Sequence, residues 1–340
     1  GKTTITGCVS NVDIKSSYTG DGCAAAGMIS YIGSSANVTI TDCIVKGKIT
    51  ATMNNGKKGM GGFVYSQNGT CTLTNCLYIG KNNATDNSYT FADNATIKNC
   101  YFLDACGSKQ GEQVTADQLK SGEVTHKLQN GRSNMVWGQT LSKDNDPQLT
   151  TNAKKRVYKV TFTYTYSDQV KAIRYANSGK TITLPTVQEI LGTDYNPQHY
   201  YTMTFEDGFS ASTTIGSDRT VRIKLNDREY YEIASKEDWK AFCDIVNGGQ
   251  NAVDAKMTKD VNLGGDIAMI GSRKNYSGIF DGQGHTLTVN WNVGNKSYIA
   301  PFYIVEKATI KNLRTEGQIT SNEKFLSGLV GNVYGTTTIS

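Results

Sequence analysis

Thr3-Thr4-Ile5-Thr6-Gly7-Cys8 opens a chain of 340 residues that repeats this phrase throughout its length. It recurs as Val38-Thr39-Ile40-Thr41-Asp42-Cys43, as Cys71-Thr72-Leu73-Thr74-Asn75-Cys76 and as Ala95-Thr96-Ile97-Lys98-Asn99-Cys100. Far downstream it returns as Ala308-Thr309-Ile310-Lys311-Asn312-Leu313, and Thr337-Thr338-Ile339-Ser340 opens one more copy. The central aliphatics lie 35, 33 and 24 residues apart in the first half and 29 apart in the last. Each copy alternates polar and apolar residues, the period of a half-buried strand, then turns on a small residue before an inward Cys or Leu.

Self-similarity at this spacing implies one structural unit stacked on the next. Stacking places Ile5, Ile40, Leu73 and Ile97 in one internal ladder and Cys8, Cys43, Cys76 and Cys100 in another. The expected fold is mainly β, with right-handed parallel β-helix segments at both ends and short capping helices. A small α+β, β-grasp-like domain joins the two segments. Gly27-Met28-Ile29, Gly62-Phe63-Val64 and Gly328-Leu329-Val330-Gly331 precede successive copies, where a tight corner would exclude a side chain. The polar stretches 51–58 and 81–90 read as loops bulging from a constant core.

Helix signals bracket these repeats. Ser235-Lys236-Glu237-Asp238 resembles a capping box, followed by Trp239, Phe242, Cys243 and Val246 on one face. Thr115-Ala116-Asp117-Gln118 opens another helix, and 124–128 suits one more. The open ends of stacked strands need covering, so 231–249 is expected to cap a beginning and 114–149 an end. The middle, 155–226, differs in texture: Tyr158-Lys159-Val160-Thr161-Phe162-Thr163-Tyr164 alternates as a strand, and 187–191 suits a short helix. The expected organisation is therefore closing rungs over 1–106, a cap over 107–150, a spacer over 155–228, and a cap helix with first rungs over 229–340. Ile339 stands 334 residues after Ile5 in the same phase, as in one period of a tandem array.

Composition agrees with turns and strands: 35 Gly against 4 Pro. A net charge of +5 is spread without a basic block, which argues against nucleic acid. No apolar run approaches the ~20 residues that span a bilayer, so no membrane insertion is expected of this stretch. The eight cysteines follow the repeat and read as small buried apolar residues. They form no Cys-x-x-Cys and no zinc-spaced cluster with His, so no metal or other cofactor is expected.

Two resemblances follow from these residues. Gly328-Leu329-Val330-Gly331, the stretch from Gly278-Ile279-Phe280 through Asp281-Gly282-Gln283-Gly284-His285-Thr286-Leu287, and Ala308-Thr309-Ile310-Lys311-Asn312-Leu313 together resemble the GLUG-motif surface proteins of bacteria. The likeness covers roughly two-thirds of the chain and is more degenerate in the first half, where Gly62-Phe63-Val64-Tyr65 lacks the closing Gly. Residues 158–225 are similar to the Listeria–Bacteroides repeat, a β-grasp-like spacer, with Leu225 in place of its closing aromatic. Neither family brings a catalytic set onto these positions. What they imply is a secreted protein at the bacterial cell surface or in the extracellular medium.

Chemistry-bearing patterns are sparse. The His-Glu-x-x-His signature of peptidases that share the GLUG motif is missing, and His126, His199 and His285 are isolated in sequence. His285 falls in a turn where Asp281 can bond its own backbone and Gly supplies positive φ. Asp42 is the one acid within the quoted copies, while Asp13, Asp21, Asp86, Asp93 and Asp104 do not recur in register. A Thr-x-Thr ladder suggests ice binding, but Lys98 and Lys311 interrupt it. Tyr65, Tyr78, Tyr89 and Tyr101, among 19 Tyr, form the candidate ligand-contact surface for sugars or proteins.

The expected function is a structural or adhesive repeat unit of a cell-surface fibre. Its partners would be neighbouring units or copies of itself head-to-tail, with host or bacterial glycans or surface proteins as ligands. The alternatives are a polysaccharide-active lyase or glycoside hydrolase and a non-catalytic glycan-binding adhesin. No catalytic residue is assigned.

Overall fold

A computed structural model describes residues 1–52, 58–85 and 87–340. The middle of the 51–58 loop and Asp86 lie outside the described residues. The protein is mainly β. It forms two compact units, one of Gly1–Thr163, Asp168–Leu184 and Asp207–Val221, the other of Tyr164–Ser167, Pro185–Glu206 and Arg222–Ser340. The segment read as a separate spacer over 155–228 divides between them.

In the first unit the repeated phrase forms a parallel ladder of Lys2–Thr6, Asn37–Thr41, Thr70–Thr74 and Thr96–Lys98. Its register pairs Ile5 with Ile40, Ile40 with Leu73 and Leu73 with Ile97. Alternation turns these aliphatics inward, and Ile40 and Leu73 are fully buried. The chain then turns at Gly7, Asp42, Asn75 and Asn99, all at positive φ. Gly tolerates that region freely, and Asn and Asp are the side chains that visit it most readily. The turn redirects the chain into a second parallel ladder of Val9–Ser10, Ile44–Val45, Leu77–Tyr78, Tyr101–Phe102 and Glu112–Gln113.

Further strands pair in parallel, Ile14–Ser16 with Ile49–Ala51, Gly22–Ala26 with Lys58–Gly61, and Ile29–Ile32 with Val64–Gln67. At the corner before the last pair, a Cβ on Gly27 would meet the Gly62 carbonyl at 2.1 Å, and one on Gly62 the Thr90 carbonyl at 2.1 Å. Close approach of successive backbones therefore requires glycine there. At Gly328 the expected collision is missing, because no atom lies within 4 Å of the added Cβ.

Residues 107–150 pack differently from the expected end cap. Helix α1 (Ala116–Ser121) starts at a Thr115–Gln118 capping box, and α2 (Glu123–Gln129) ends at Asn130 in the left-handed region. Leu119, Val124, Leu128 and Trp137 bury against Ile44, Leu77 and Tyr101. The segment thus covers the flank of three successive strands. Those strands are consecutive apolar pairs because both their faces are buried: Val45, Tyr78 and Phe102 face the main core.

In the second unit, Tyr231–Ile233, Ala255–Met257, Ile279–Asp281, Thr309–Lys311 and Thr338–Ile339 form a parallel ladder. Val261–Gly264, Thr286–Asn292 and Arg314–Thr320 form another, and Phe302–Glu306 pairs with Val330–Tyr334. The third helix of the chain, α3 (Val187–Leu191), lies where sequence placed it. The fourth, α4 (Lys236–Asn247), is capped by Ser235, whose hydroxyl accepts the Asp238 N–H at 3.1 Å. It buries Trp239, Phe242, Cys243 and Val246, the face read from sequence. Trp239 meets Phe280 and Phe302 edge-on with ring centroids 5.6 and 6.0 Å apart.

Between the ladders in sequence is a four-stranded sheet in the order Ser167–Asn177, Val157–Tyr164, Arg219–Arg228, Tyr200–Phe205. No helix among the described residues is long and apolar enough to cross a membrane.

Candidate functional surfaces

The structure corrects half of the candidate tyrosine surface. Tyr78 is 0% exposed and Tyr101 5%, because each lies in a strand buried on both faces. Burial pushes the Tyr78 hydroxyl far above its ordinary pKa, and its oxygen accepts the Asn82 side-chain amide at 3.2 Å. The Tyr101 hydroxyl donates to the Asn99 side chain while the Lys127 ammonium sits 5.7 Å from its ring centroid. Neither presents a ring to a ligand. Tyr65 and Tyr89 remain half-buried neighbours with ring centroids 6.0 Å apart. Burial raises both hydroxyls, and the Asp93 carboxylate adds to that shift.

The turn residues form a polar column. The Asn99 amide donates to Asn75 Oδ1 at 2.6 Å and to the Lys127 carbonyl at 3.2 Å. One position along, the buried Asp42 carboxylate accepts two bonds from the Arg132 guanidinium, both at 3.0 Å, and one from Trp137 Nε1 at 2.8 Å. Arg132 also donates to the carbonyls of Leu128 and Gln129, which anchors it to the end of α2. The acid that stood out in sequence is thus enclosed and fully bonded, a clasp between turn and flank. Sequence gave no sign of Arg132 or Trp137, since they lie 90 and 95 residues from Asp42.

The thiols form a parallel column. Cys43, Cys76 and Cys100 are buried, and each S–H donates to the carbonyl two residues earlier, at 3.2, 3.4 and 3.3 Å. Cys8 continues the column at the exposed edge. Burial pushes the Cys76 thiol well up, while the adjacent Cys76 thiol holds Cys43 and Cys100 below the usual thiol value. Away from the column, burial raises Cys71 to about 11 and Cys106 and Cys243 to about 12. All eight cysteines are free, and among the described residues no group of three or more His, Cys, Asp or Glu is placed to hold a metal.

Each histidine is paired with a carboxylate: His126 with Asp218 at 2.8 Å, His199 with Asp227 at 2.8 Å and His285 with Asp260 at 3.2 Å. The turn reading of His285 matches its surroundings. Asp281 accepts the Gln283 N–H at 3.0 Å, and Gln283 and Gly284 both take positive φ.

Among the described residues, Lys2–Thr6 stands at one end of its ladder beside Asn37–Thr41, and Thr338–Ile339 at one end of its own beside Thr309–Lys311. Val9 and Tyr31 in the first unit and Val333 and Ile339 in the second are exposed apolar residues of strands that end their sheets. Unpaired N–H and C=O groups beside exposed apolar surface make a template for a further strand. No protein-family model, curated protein or solved structure matches the chain.

Proposed function

We propose that this protein is a structural, adhesive repeat unit of a secreted bacterial surface fibre. In this reading its parallel ladders are the faces of right-handed β-helix segments, and units stack head-to-tail by continuing the ladders. The observation that carries it is the phrase shared by the two end strands Lys2–Thr6 and Thr338–Ile339. Thr338-Ile339 extends a ladder in the same in-and-out phase with which Thr4-Ile5 begins one. Register is specified wherever one face of a strand is buried, so matching phase is what continuous stacking needs. The next unit is supplied by the same polypeptide or by a second copy, and repetition multiplies weak surface contacts into avidity. The surface setting rests on the resemblance to the GLUG-motif proteins. The unit has a scaffolding role and no catalytic one.

Hydrogen exchange on two copies joined in tandem tests the stacking. The amides of Lys2–Thr6 in the downstream copy should be protected relative to the single chain, and Ile339→Lys in the upstream copy should remove that protection. Equal exchange in single and tandem chains would overturn the proposal.

A further inference from the structure

The outward face of the ladder that carries Tyr231–Ile233, Ala255–Met257, Ile279–Asp281 and Thr309–Lys311 has a feature that stacking does not use. Ala255, Phe280 and Ile310 point into the core, so the alternate positions Asp254, Lys256, Asp281 and Lys311 line the outer face on successive strands. Beside them runs the stretch 196–199, tied down by the Asp254 N–H donating to the Gln198 carbonyl at 2.8 Å. The Asp254 carboxylate in turn accepts the Ile279 N–H at 2.7 Å and a bond from the Gln198 side chain. Together these walls enclose a cavity of about 320 Å³, completed by His199, Glu229 and Tyr230.

Three properties of the cavity point to its ligand. Its volume falls at the lower end of small-molecule sites. Both signs of charge line it, with Glu229, Asp254 and Asp281 beside Lys256 and Lys311, so neither a strong anion nor a strong cation is favoured. Its polar groups offer both donors and acceptors around one half-exposed aromatic ring, Tyr230, over which the Lys256 ammonium rests 3.9 Å from the centroid. Carboxylates that accept, amines and amides that donate, and one apolar ring face form the complement of a sugar, with its ring of hydroxyls and its apolar C–H face.

We propose that this cleft is a saccharide subsite for a neutral, hydroxyl-rich sugar ring. The part of the Tyr230 ring that the Lys256 ammonium leaves uncovered supplies the apolar wall, Asp281 and Glu229 accept from hydroxyls, and Lys256 and Lys311 donate to them. Asp281 is oriented by the Asn312 amide at 3.0 Å and the Lys311 ammonium at 3.5 Å, so one acceptor is held in place before a ligand arrives. Asp254 is a positioning residue, since its bonds go to the backbone and to Gln198. Burial raises its carboxyl above the usual value, the signature of a group held in a partly dry wall.

The test is saturation-transfer and chemical-shift NMR on the single, unjoined chain, which leaves the stacking proposal independent of the result. The probes are glucose, galactose, mannose, N-acetylglucosamine and their β-linked disaccharides, with glucuronate as the charged control. At least one neutral probe should bind and shift the Tyr230 ring signals. Tyr230→Ala should weaken that binding by about tenfold or more, while Tyr230→Phe keeps it within a few-fold. Lys256→Met should weaken it too and leaves the ring in place, which separates lost contact from lost fold. No binding by any neutral probe, binding by glucuronate alone, or affinity indifferent to Tyr230→Ala would overturn the proposal.

Discussion

The ladder that begins at Lys2–Thr6 and the one that ends at Thr338–Ile339 share a strand phrase but are stabilised by different means. In the first, the position after the turn is a thiol, Cys43, Cys76 or Cys100, in a core that holds Phe63, Phe91 and Phe102 beside its aliphatic side chains, and the turn itself is clasped from the flank by Arg132 and Trp137. In the second, Leu313 takes that position and the core is aromatic, with Trp239 and Phe242 of α4 set among Tyr276, Phe280 and Phe302. The backbone ladder is therefore a tolerant frame: its hydrogen bonds run between strands and do not depend on which apolar side chain fills the inside. What differs is the addition each unit makes to its apolar cover: the first adds charge-assisted bonds at a turn beneath α1 and α2, while the second sets the aromatic face of α4 into its core.

If that contrast is right, the second unit should depend most on its helix. Trp239 is fully buried, so Trp239→Ala leaves a large cavity and should cost about 3–5 kcal/mol. Denaturant unfolding followed by hydrogen exchange should show the loss in Ala255–Met257 and Ile279–Asp281, with Asn37–Thr41 and Thr70–Thr74 unchanged. Equal loss in both sets of strands would break the comparison, because it would make the two cores one cooperative block.

The corresponding test in the first unit removes the clasp. Arg132→Met leaves the buried Asp42 carboxylate with only the Trp137 N–H, and should destabilise this unit by about 2–3 kcal/mol. Adding Asp42→Asn should recover part of the loss, since the uncompensated charge is then gone. A double variant less stable than Arg132→Met alone would show that Asp42 contributes through something other than this pair.

Legibility in the sequence followed the range of each interaction. The inward series Ile5, Ile40, Leu73 and Ile97 was readable because in-and-out alternation is local, and so was the helix face of Trp239 and Phe242, which follows from a cap and a 3.6-residue period. Tyr101 was misplaced because its burial depends on α1, α2 and Trp137 lying across the flank, and Tyr78 because its side of the strand faces the main core. A local signal existed all the same: Ile44-Val45, Leu77-Tyr78 and Tyr101-Phe102 are adjacent apolar pairs, which a strand with one wet face does not carry. The cleft around Tyr230 left no trace in sequence, as Lys256 and Asp281 come from separate strands and meet only through the register.

The smallest expected difference between the two regions is at the turn residue itself. Asn75 and Asn312 share φ +53, so replacing either by Gly leaves the backbone unstrained and tests the side chain alone. Asn75 is buried and its Oδ1 accepts the Asn99 amide, so Asn75→Gly removes an enclosed bond and should cost about 1 kcal/mol. Asn312 is exposed and donates to Asp281, a bond that water can replace, so Asn312→Gly should change stability by only a few tenths of a kcal/mol. Paired denaturation curves on the two variants read this difference directly. A larger loss at Asn312 than at Asn75 would mean that the turn column contributes little in the first unit. The clasp by Arg132 and Trp137 would then act on Asp42 alone, without support passed along Asn75 and Asn99.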